Sequence, residues 1–231
     1  MLPALGWGVL AASSLLLGVG LALARSWSAR TIGLVLSFGA GALISAVAFE
    51  LFEEGTREAG AELPVALGLA AGALTYFVCD RKIERRGAGG GLPLALGALL
   101  DGVPEQAVLG IGLAGGAGVS VALLVAIFVS NLPEGIGSAS DMLAAGWTRG
   151  RVVALWSAVA VICVVATVAG YAVTDVVGGT FTGAIDGFAA GALLVMLTDS
   201  MIPESRAKAG LPSGLVLVLG FAVAAGLSAA S

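Results

Sequence analysis

Long apolar segments fill most of this chain and constrain its fold more than any other feature. Hydrophobic residues make up 58% of the 231 residues and charged residues only 11%, whereas ordinary soluble domains carry about 25% charged residues. Each segment is near the roughly 20 residues that a helix needs to cross a bilayer. The sequence predicts an all-α integral membrane protein with eight transmembrane helices in a single domain, residues 1–231. The predicted spans are about 3–24, 31–51, 63–79, 92–114, 119–142, 152–173, 181–202 and 211–230.

The positions of the basic residues predict how the chain is oriented. Ten of the 11 lysine and arginine residues lie in the loops after spans 1, 3, 5 and 7, and only Arg57 lies in a loop of the other set. Loops rich in lysine and arginine stay in the cytoplasm. We therefore predict that both termini lie outside, and that this is a multi-pass protein of the plasma membrane (cell inner membrane).

An internal repeat relates the two ends of the chain. Residues 38–54 align with residues 188–204 at a spacing of 150 without a gap, and six of the 17 positions are identical, including Glu54 and Glu204. Spans 2 and 7, which carry the repeat, run in opposite directions in the predicted orientation. Similar sequence in opposite orientation indicates an inverted repeat, which in transporters places the substrate site near the midplane. The predicted architecture is a 3+2+3 inverted-repeat bundle.

The two central spans carry similar polar segments, residues 101–106 (DGVPEQ) and 130–135 (SNLPEG), 29 residues apart. A carboxylate in the bilayer core costs roughly 2.5–3.5 kcal/mol, and each proline frees a backbone carbonyl that lipid cannot satisfy. Acidic or hydroxyl residues four positions apart share one helix face. Since histidine is absent, all the donors are oxygens, which suit hard and borderline divalent cations. The candidate metal ligands here are Asp101, Glu105, Ser130, Asn131 and Glu134.

Two further acids, Glu50 and Asp199, lie inside spans 2 and 7 and are included as candidate metal ligands. Other acids occur at span ends, where they are either solvated interfacial charges or ligands at the two mouths of one path: Glu53, Glu54 and Glu204. Four more acids are interpreted as ordinary loop charges: Glu58, Glu62, Asp175 and Asp186. The two cysteines, Cys79 and Cys163, lack metal-ligand spacing and are interpreted as packing residues.

The segment 131–135 (NLPEG) resembles the fifth-helix signature of the zinc/iron permease (ZIP) family of divalent-metal transporters, and Pro104 with Glu105 is similar to its fourth-helix motif. The number of spans, the outside termini and the 3+2+3 plan resemble that family too. The resemblance implies transport of a divalent metal ion (Zn, Mn, Fe or similar) by alternating access, without a cofactor. It places ligands at Asp101 and Glu105 in helix 4 and at Ser130, Asn131 and Glu134 in helix 5.

The chain also departs from the family pattern. Asp101 and Ser130 stand where the family usually has histidine, Gly102 stands where helix 4 usually has asparagine, and span 6 has no acid. These departures favour a single metal site of altered selectivity over a two-metal centre. The metal ion, the lipid bilayer and a second copy in a homodimer are the expected partners, and no nucleic acid is expected.

Three alternatives to transport follow from the same residues. In the first alternative, the chain is a ZIP-like metal sensor or membrane scaffold that does not transport. In the second, protonated glutamates hold two kinked helices together and there is no substrate. An intramembrane hydrolase is disfavoured because a Ser/His pair cannot form without histidine. We therefore predict that the protein is not an enzyme.

Overall fold

The computed structural model describes residues 1–85, 91–114, 120–174 and 179–230, and every regular element in these ranges is a helix. Two long helices pass through a π-helical segment without interruption, α2 through π1 into α3 and α8 through π2 into α9. The elements are α1 (Leu2–Ala24), α2 (Ala29–Ala46), π1 (Val47–Glu53), α3 (Glu54–Ala59), α4 (Glu62–Arg85), α5 (Gly91–Ala114), α6 (Val121–Ala144), α7 (Arg149–Thr174), α8 (Gly179–Met196), π2 (Leu197–Met201), α9 (Ile202–Ala209) and α10 (Ser213–Ser228).

Six helices of the described ranges are long and apolar enough to cross a membrane, and they coincide with predicted spans 1, 2, 3, 5, 6 and 7. The all-α prediction is thereby confirmed, and a multi-pass membrane protein is indicated. Predicted spans 4 and 8 coincide with helices α5 and α10, but α10 has only 16 residues, or about 24 Å. Crossing of the membrane by these two helices stays a prediction.

The outward faces of the helices are apolar. Leu67 on α4 is 63% exposed and Leu215 on α10 is 79% exposed, and many other large apolar side chains on the outside are similarly open. Soluble proteins rarely expose apolar surface of this extent. Lipid chains are the solvent that this surface suits.

Helices α5 and α6 each contain a proline in their interior, Pro104 and Pro133. A proline has no amide hydrogen, so the carbonyls of Leu100 and Val129 lose their usual partners one turn earlier. Both helices nevertheless continue past the proline. The predicted polar segments therefore lie within long helices and not in loops.

The helix contacts recur in equivalent pairs. Helix α4 packs along α8, and α10 packs along α2; α5 packs along α7, and α1 packs along α6. The π segments fit the same scheme, because Val47 begins π1 and Leu197 begins π2, at the spacing of 150 found in the sequence. Each half of the chain therefore builds the same set of contacts with partners from the other half.

Glycines at equivalent positions permit the closest of these contacts. A Cβ added at Gly41 would collide with the carbonyl oxygen of Leu217, and one at Gly191 with that of Leu69. Small residues allow backbones to approach in this way, which is the main means of packing helices in lipid. The α2–α10 and α4–α8 pairs are thus the same close-packed unit built twice.

Adding side chains at this contact should destabilise the fold. We expect Gly41→Val and Gly191→Val each to lower the free energy of unfolding by about 1–3 kcal/mol, the usual cost of overpacking. Gly226→Val is the matched control, because nothing lies within 4 Å of a Cβ at that helical position. Thermal unfolding in detergent measures the difference. Equal melting temperatures for all three variants would contradict the close contact.

Candidate metal site

The site begins where α5 and α6 meet at Glu105 and Ser130. The Ser130 hydroxyl lies 3.3 and 3.4 Å from the two carboxylate oxygens of Glu105 and 3.0 Å from the carbonyl oxygen of Ile127. A hydroxyl has one proton, and the Ile127 carbonyl is the closer acceptor. The Ser130 hydroxyl is within donating distance of both acceptors, the Glu105 carboxylate and the Ile127 carbonyl, and its oxygen lies beside the carboxylate as two ligands of one cation would lie.

Glu105 is only 2% exposed, and Ser130 is equally buried. A buried carboxylate is costly unless it is paired, hydrogen-bonded or bound to a metal. Two helices bring this oxygen-rich pair together from positions 25 residues apart. The predicted association of α5 and α6 through these side chains is therefore present in the structure.

A small cavity, called here the central cavity, opens onto this pair. Its volume is about 20 Å³, which is room for about one water-sized particle. Carboxylate and hydroxyl groups supply its polar wall, and helices α2, α5, α6, α8, π2 and α9 all contribute. The cavity is lined by Leu36, Glu105, Ser130, Glu134, Met196, Ser200, Met201 and Glu204.

Two polar residues of this wall were not among the candidate ligands. Glu204 was interpreted as an interfacial acid or a ligand at one mouth, and Ser200 was not considered. The internal repeat was the signal for Glu204, because it aligns that residue with Glu54. Ser200 lies in π2, and a π segment cannot be predicted from periodicity over five residues.

Glu204 forms the outer end of the central cavity. Its carboxylate accepts a bond from the Lys208 ammonium at 2.6 Å, and its side chain is 47% exposed. A Cβ added at Gly137 would lie 3.2 Å from the Lys208 nitrogen, so this ion pair is close to α6 one turn beyond Glu134. The cavity therefore extends from the buried carboxylate of Glu105 to an ion pair at the surface.

Asn131 and Gln106 are both fully buried beside the central residues. Within the described ranges, neither amide atom of Asn131 has a hydrogen-bond partner, and the Gln106 amide nitrogen also lacks one. The Gln106 carbonyl accepts a bond from the Thr167 hydroxyl at 2.7 Å. Unsatisfied buried amides are rare and need an explanation. An ion or water bound next to Asn131 would supply one.

Replacing Asn131 by leucine should therefore stabilise the metal-free protein. We expect Asn131→Leu to raise its free energy of unfolding by about 1–3 kcal/mol, the cost of an unsatisfied buried polar group, and to weaken Mn²⁺ binding. Thermal unfolding with and without Mn²⁺ measures both effects. A less stable metal-free variant would mean that the Asn131 amide is already satisfied.

Cys163 on α7 approaches the site from the opposite side. It is fully buried, and its thiol interacts electrostatically with Glu134 and Glu105. A Cβ added at Gly102 would lie 2.9 Å from the Cys163 sulfur, so the thiol occupies the space that a side chain at Gly102 would need. Cys163 is a core residue, as the sequence predicted, and it also interacts with Glu105 and Glu134.

The remaining candidate ligands lie apart from this centre. Glu50 accepts a bond from the Ser228 hydroxyl at 2.6 Å, next to a pocket of about 380 Å³ that Glu53 and Glu54 line. Asp199 is exposed and lines a separate, largely apolar groove of about 340 Å³ between α4 and α8. The structure thus brings together Glu105, Ser130 and Glu134 but does not bring Glu50 or Asp199 to them.

The side chain of Asp101 lies outside the described residues, as does Asp175. Across the part of the chain that the structure describes, no three His, Cys, Asp or Glu side chains are grouped closely enough to hold a metal ion. A cation beside Ser130 would therefore have the carboxylates of Glu105 and Glu134 and neutral oxygens around it, and the Glu204 carboxylate, paired with Lys208, would lie at the outer end of the same cavity. Mg²⁺ and related hard ions commonly bind one or two carboxylates and keep several waters.

The sequence interpretation of Asp186 as a loop charge is wrong. Asp186 lies within α8 and is only 4% exposed. A Cβ added at Gly55 would lie 3.3 Å from one of its carboxylate oxygens, so the side chain packs against the backbone of α3. Asp186 lies two turns inside α8, which begins at Gly179, and the predicted span 181–202 also contains it; its burial comes from the packing of α8 against α3.

Comparison with known proteins adds no assignment. No protein-family model matches this chain, and no curated protein matches it. The interpretation of the site therefore depends on the residues and contacts described above.

Proposed function

We propose that this chain carries a divalent metal cation across the membrane as a divergent, histidine-free member of the zinc/iron permease (ZIP) family. The observation that carries the proposal is the central cavity, where Glu105, Ser130 and Glu134 face one ion-sized space inside a bundle of apolar helices. Ionisable residues within such helices are rare and usually mark ion or proton pathways. Glu105 and Glu134 are the proposed anionic ligands, and Ser130 is a neutral ligand.

The proposal includes eight spans in a 3+2+3 inverted-repeat bundle. The equivalent helix pairs and the two π segments at a spacing of 150 support the repeat. Gly33 packs against Lys208 and Ala209, so the first turn of α2, which carries Arg30, lies at the same end as the basic α9. That grouping supports cytoplasmic placement of this end and outside placement of the termini.

Transport is proposed to occur by alternating access around the central pair. Inverted repeats supply two halves that can rock about a fixed site, and the central cavity runs from that site to Glu204 at the basic end. Movement of the two halves would close this side and open the other.

Uptake by the purified full chain in liposomes tests the proposal. Mn²⁺ and Zn²⁺ should enter liposomes that contain the protein, with saturation at high metal concentration, and an indicator inside the vesicles reports it. Entry no faster than into protein-free liposomes would overturn transport. Metal binding without entry would instead favour the non-transporting sensor.

Alternating access has its own test in a matched pair of cysteines. Glu53→Cys and Pro203→Cys stand at equivalent positions of the repeat, and both native residues are exposed. We expect metal to protect one cysteine from a membrane-impermeant thiol reagent and to expose the other, with labelling from opposite sides. Parallel changes at both cysteines would indicate a channel.

A further inference from the structure

A groove on the outside of the helix bundle, called here the α4–α8 groove, combines an apolar wall with charged side chains at one end. Its volume is about 340 Å³, within the roughly 300–1,000 Å³ that ligand pockets have. Leu69, Phe77 and Leu194 belong to the apolar wall, and Thr198 and Asp199 supply polar groups. The proposed transport site does not use this groove.

A carboxylate and a cation lie at the same end of the groove. A Cβ added at Gly191 would meet the carbonyl of Leu69, and eight residues further along each helix Asp199 and Phe77 line the groove as well. The Arg81 guanidinium lies over the Phe77 ring, 4.5 Å from its centre, because side chains on a helix lean toward its N-terminus. The groove therefore has Asp199 on one wall and Arg81 beside the other.

Neither of these charges is paired within the protein. Asp199 and Arg81 are both exposed, and the two ion pairs within the described ranges lie in α3 and α9. Ionisable residues on membrane-spanning helices almost always face the bundle interior or pair with one another. Asp199 does neither, so a partner for its charge has to come from outside the protein.

The internal repeat shows that the groove is particular to one half of the molecule. At a spacing of 150, Asp199 corresponds to Phe49, and Ala71 corresponds to Phe221. The rings of Phe49 and Phe221 lie 6.2 Å apart, so two aromatic side chains occupy the equivalent surface of the α2–α10 pair. The α4–α8 pair has a carboxylate and a small residue there instead.

We propose that the α4–α8 groove binds one phospholipid with a primary-amine headgroup, phosphatidylethanolamine. One acyl chain lies along the apolar wall, the headgroup ammonium donates hydrogen bonds to Asp199, and Arg81 binds the phosphate. The adjacent phosphate and ammonium of this lipid complement the two opposite charges of the groove. An anionic headgroup without an amine offers nothing to Asp199, and a quaternary choline has no N–H to donate. The proposal requires a bilayer around the helices and does not depend on metal transport.

Native mass spectrometry of the full chain in detergent tests this proposal. Phosphatidylethanolamine, phosphatidylcholine and phosphatidylglycerol with the same acyl chains are added together in equal amounts. We expect one retained phosphatidylethanolamine per chain, favoured over each of the other lipids by on the order of tenfold. Asp199→Asn and Arg81→Gln should each lower its retention by on the order of tenfold, since each removes a charge-assisted hydrogen bond.

Glu62→Gln is the matched control, because Glu62 is an exposed acid at the opposite end of α4, and it should leave lipid retention unchanged. Thermal unfolding verifies that each variant is folded. Equal retention of the three lipids, or a preference for phosphatidylglycerol, would overturn the proposal. Retention of phosphatidylethanolamine at the wild-type level in both groove variants would do so too. A lipid-free dimer that Asp199→Asn dissociates would show instead that a second copy of the chain covers the groove, and would also overturn it.

Discussion

Glu105→Gln and Glu134→Gln should each abolish metal uptake while leaving the protein folded. Both side chains face the central cavity, and each substitution removes a negative charge while keeping the shape of the side chain. Since altering residues outside the metal's own ligands already costs 10–100-fold in affinity, loss of a charged ligand should reduce uptake by at least ~100-fold. Initial rates of Mn²⁺ uptake into liposomes measure the effect.

Glu53→Gln provides the control, because Glu53 is an exposed acid that does not line the central cavity. Its uptake should stay near the wild-type rate. Melting temperatures of the two central variants should stay close to that of the wild type, since glutamine keeps the shape of the side chain. If both central variants carry Mn²⁺ at nearly the wild-type rate, the transported ion binds elsewhere.

The double substitution Asp101→His with Ser130→His should shift selectivity toward zinc. Zinc favours nitrogen and sulfur donors as well as oxygen, whereas carboxylate and carbonyl oxygens suit Mn²⁺, Mg²⁺ and Ca²⁺. The wild-type site has no imidazole, because the chain has no histidine. We expect the ratio of Zn²⁺ to Mn²⁺ uptake to rise by on the order of tenfold.

Competition between the two metals in the same liposome assay measures this ratio. Asp101→Asn with Ser130→Ala removes the same native side chains without adding imidazole, and it should not raise the ratio. A wild-type protein with tight zinc preference, unchanged or lowered by the two histidines, would contradict the idea that donor type sets selectivity.

Helix positions were predictable because each apolar segment is continuous and long. The predicted span 3–24 differs from helix α1 (Leu2–Ala24) by one residue. The helices of the repeat were predicted too short, since α2 continues through π1 and α3 to Ala59. Charged residues such as Glu54 and Arg57 end an apolar segment, but they do not end a helix whose last turns emerge from the bilayer.

The central pair was predictable from the two motifs, and the contact between its members was not. Glu105 and Ser130 were both candidate ligands, and the structure places the Ser130 hydroxyl beside the Glu105 carboxylate. The spacing of 29 relates equivalent residues of the two motifs, and it does not state which residues touch. That contact depends on how α5 and α6 pack against each other.

The burial of Asp186 could not have been predicted from the sequence. An acid near the edge of an apolar segment is the same in sequence whether it is solvated or buried against a facing helix. Its environment depends on Gly55, 131 residues earlier in the chain. Contacts between residues so far apart in the sequence are set by how the helices pack. The internal repeat was the only sequence feature that indicated which helices are equivalent.

The two π segments have a consequence for how the helix ends are oriented. A π turn holds about one residue more than an α turn. Each π segment therefore holds one residue more than an α-helix with the same number of turns. Conversion of π2 to α geometry would rotate α9 by about 100° around its axis and shift it by about 1.5 Å relative to α8. Glu204 would then leave the wall of the central cavity and Lys208 would turn with it. The same conversion in π1 would turn Glu54 and Glu58 together, so each end of the molecule has its own means of rotating its charges toward or away from the interior.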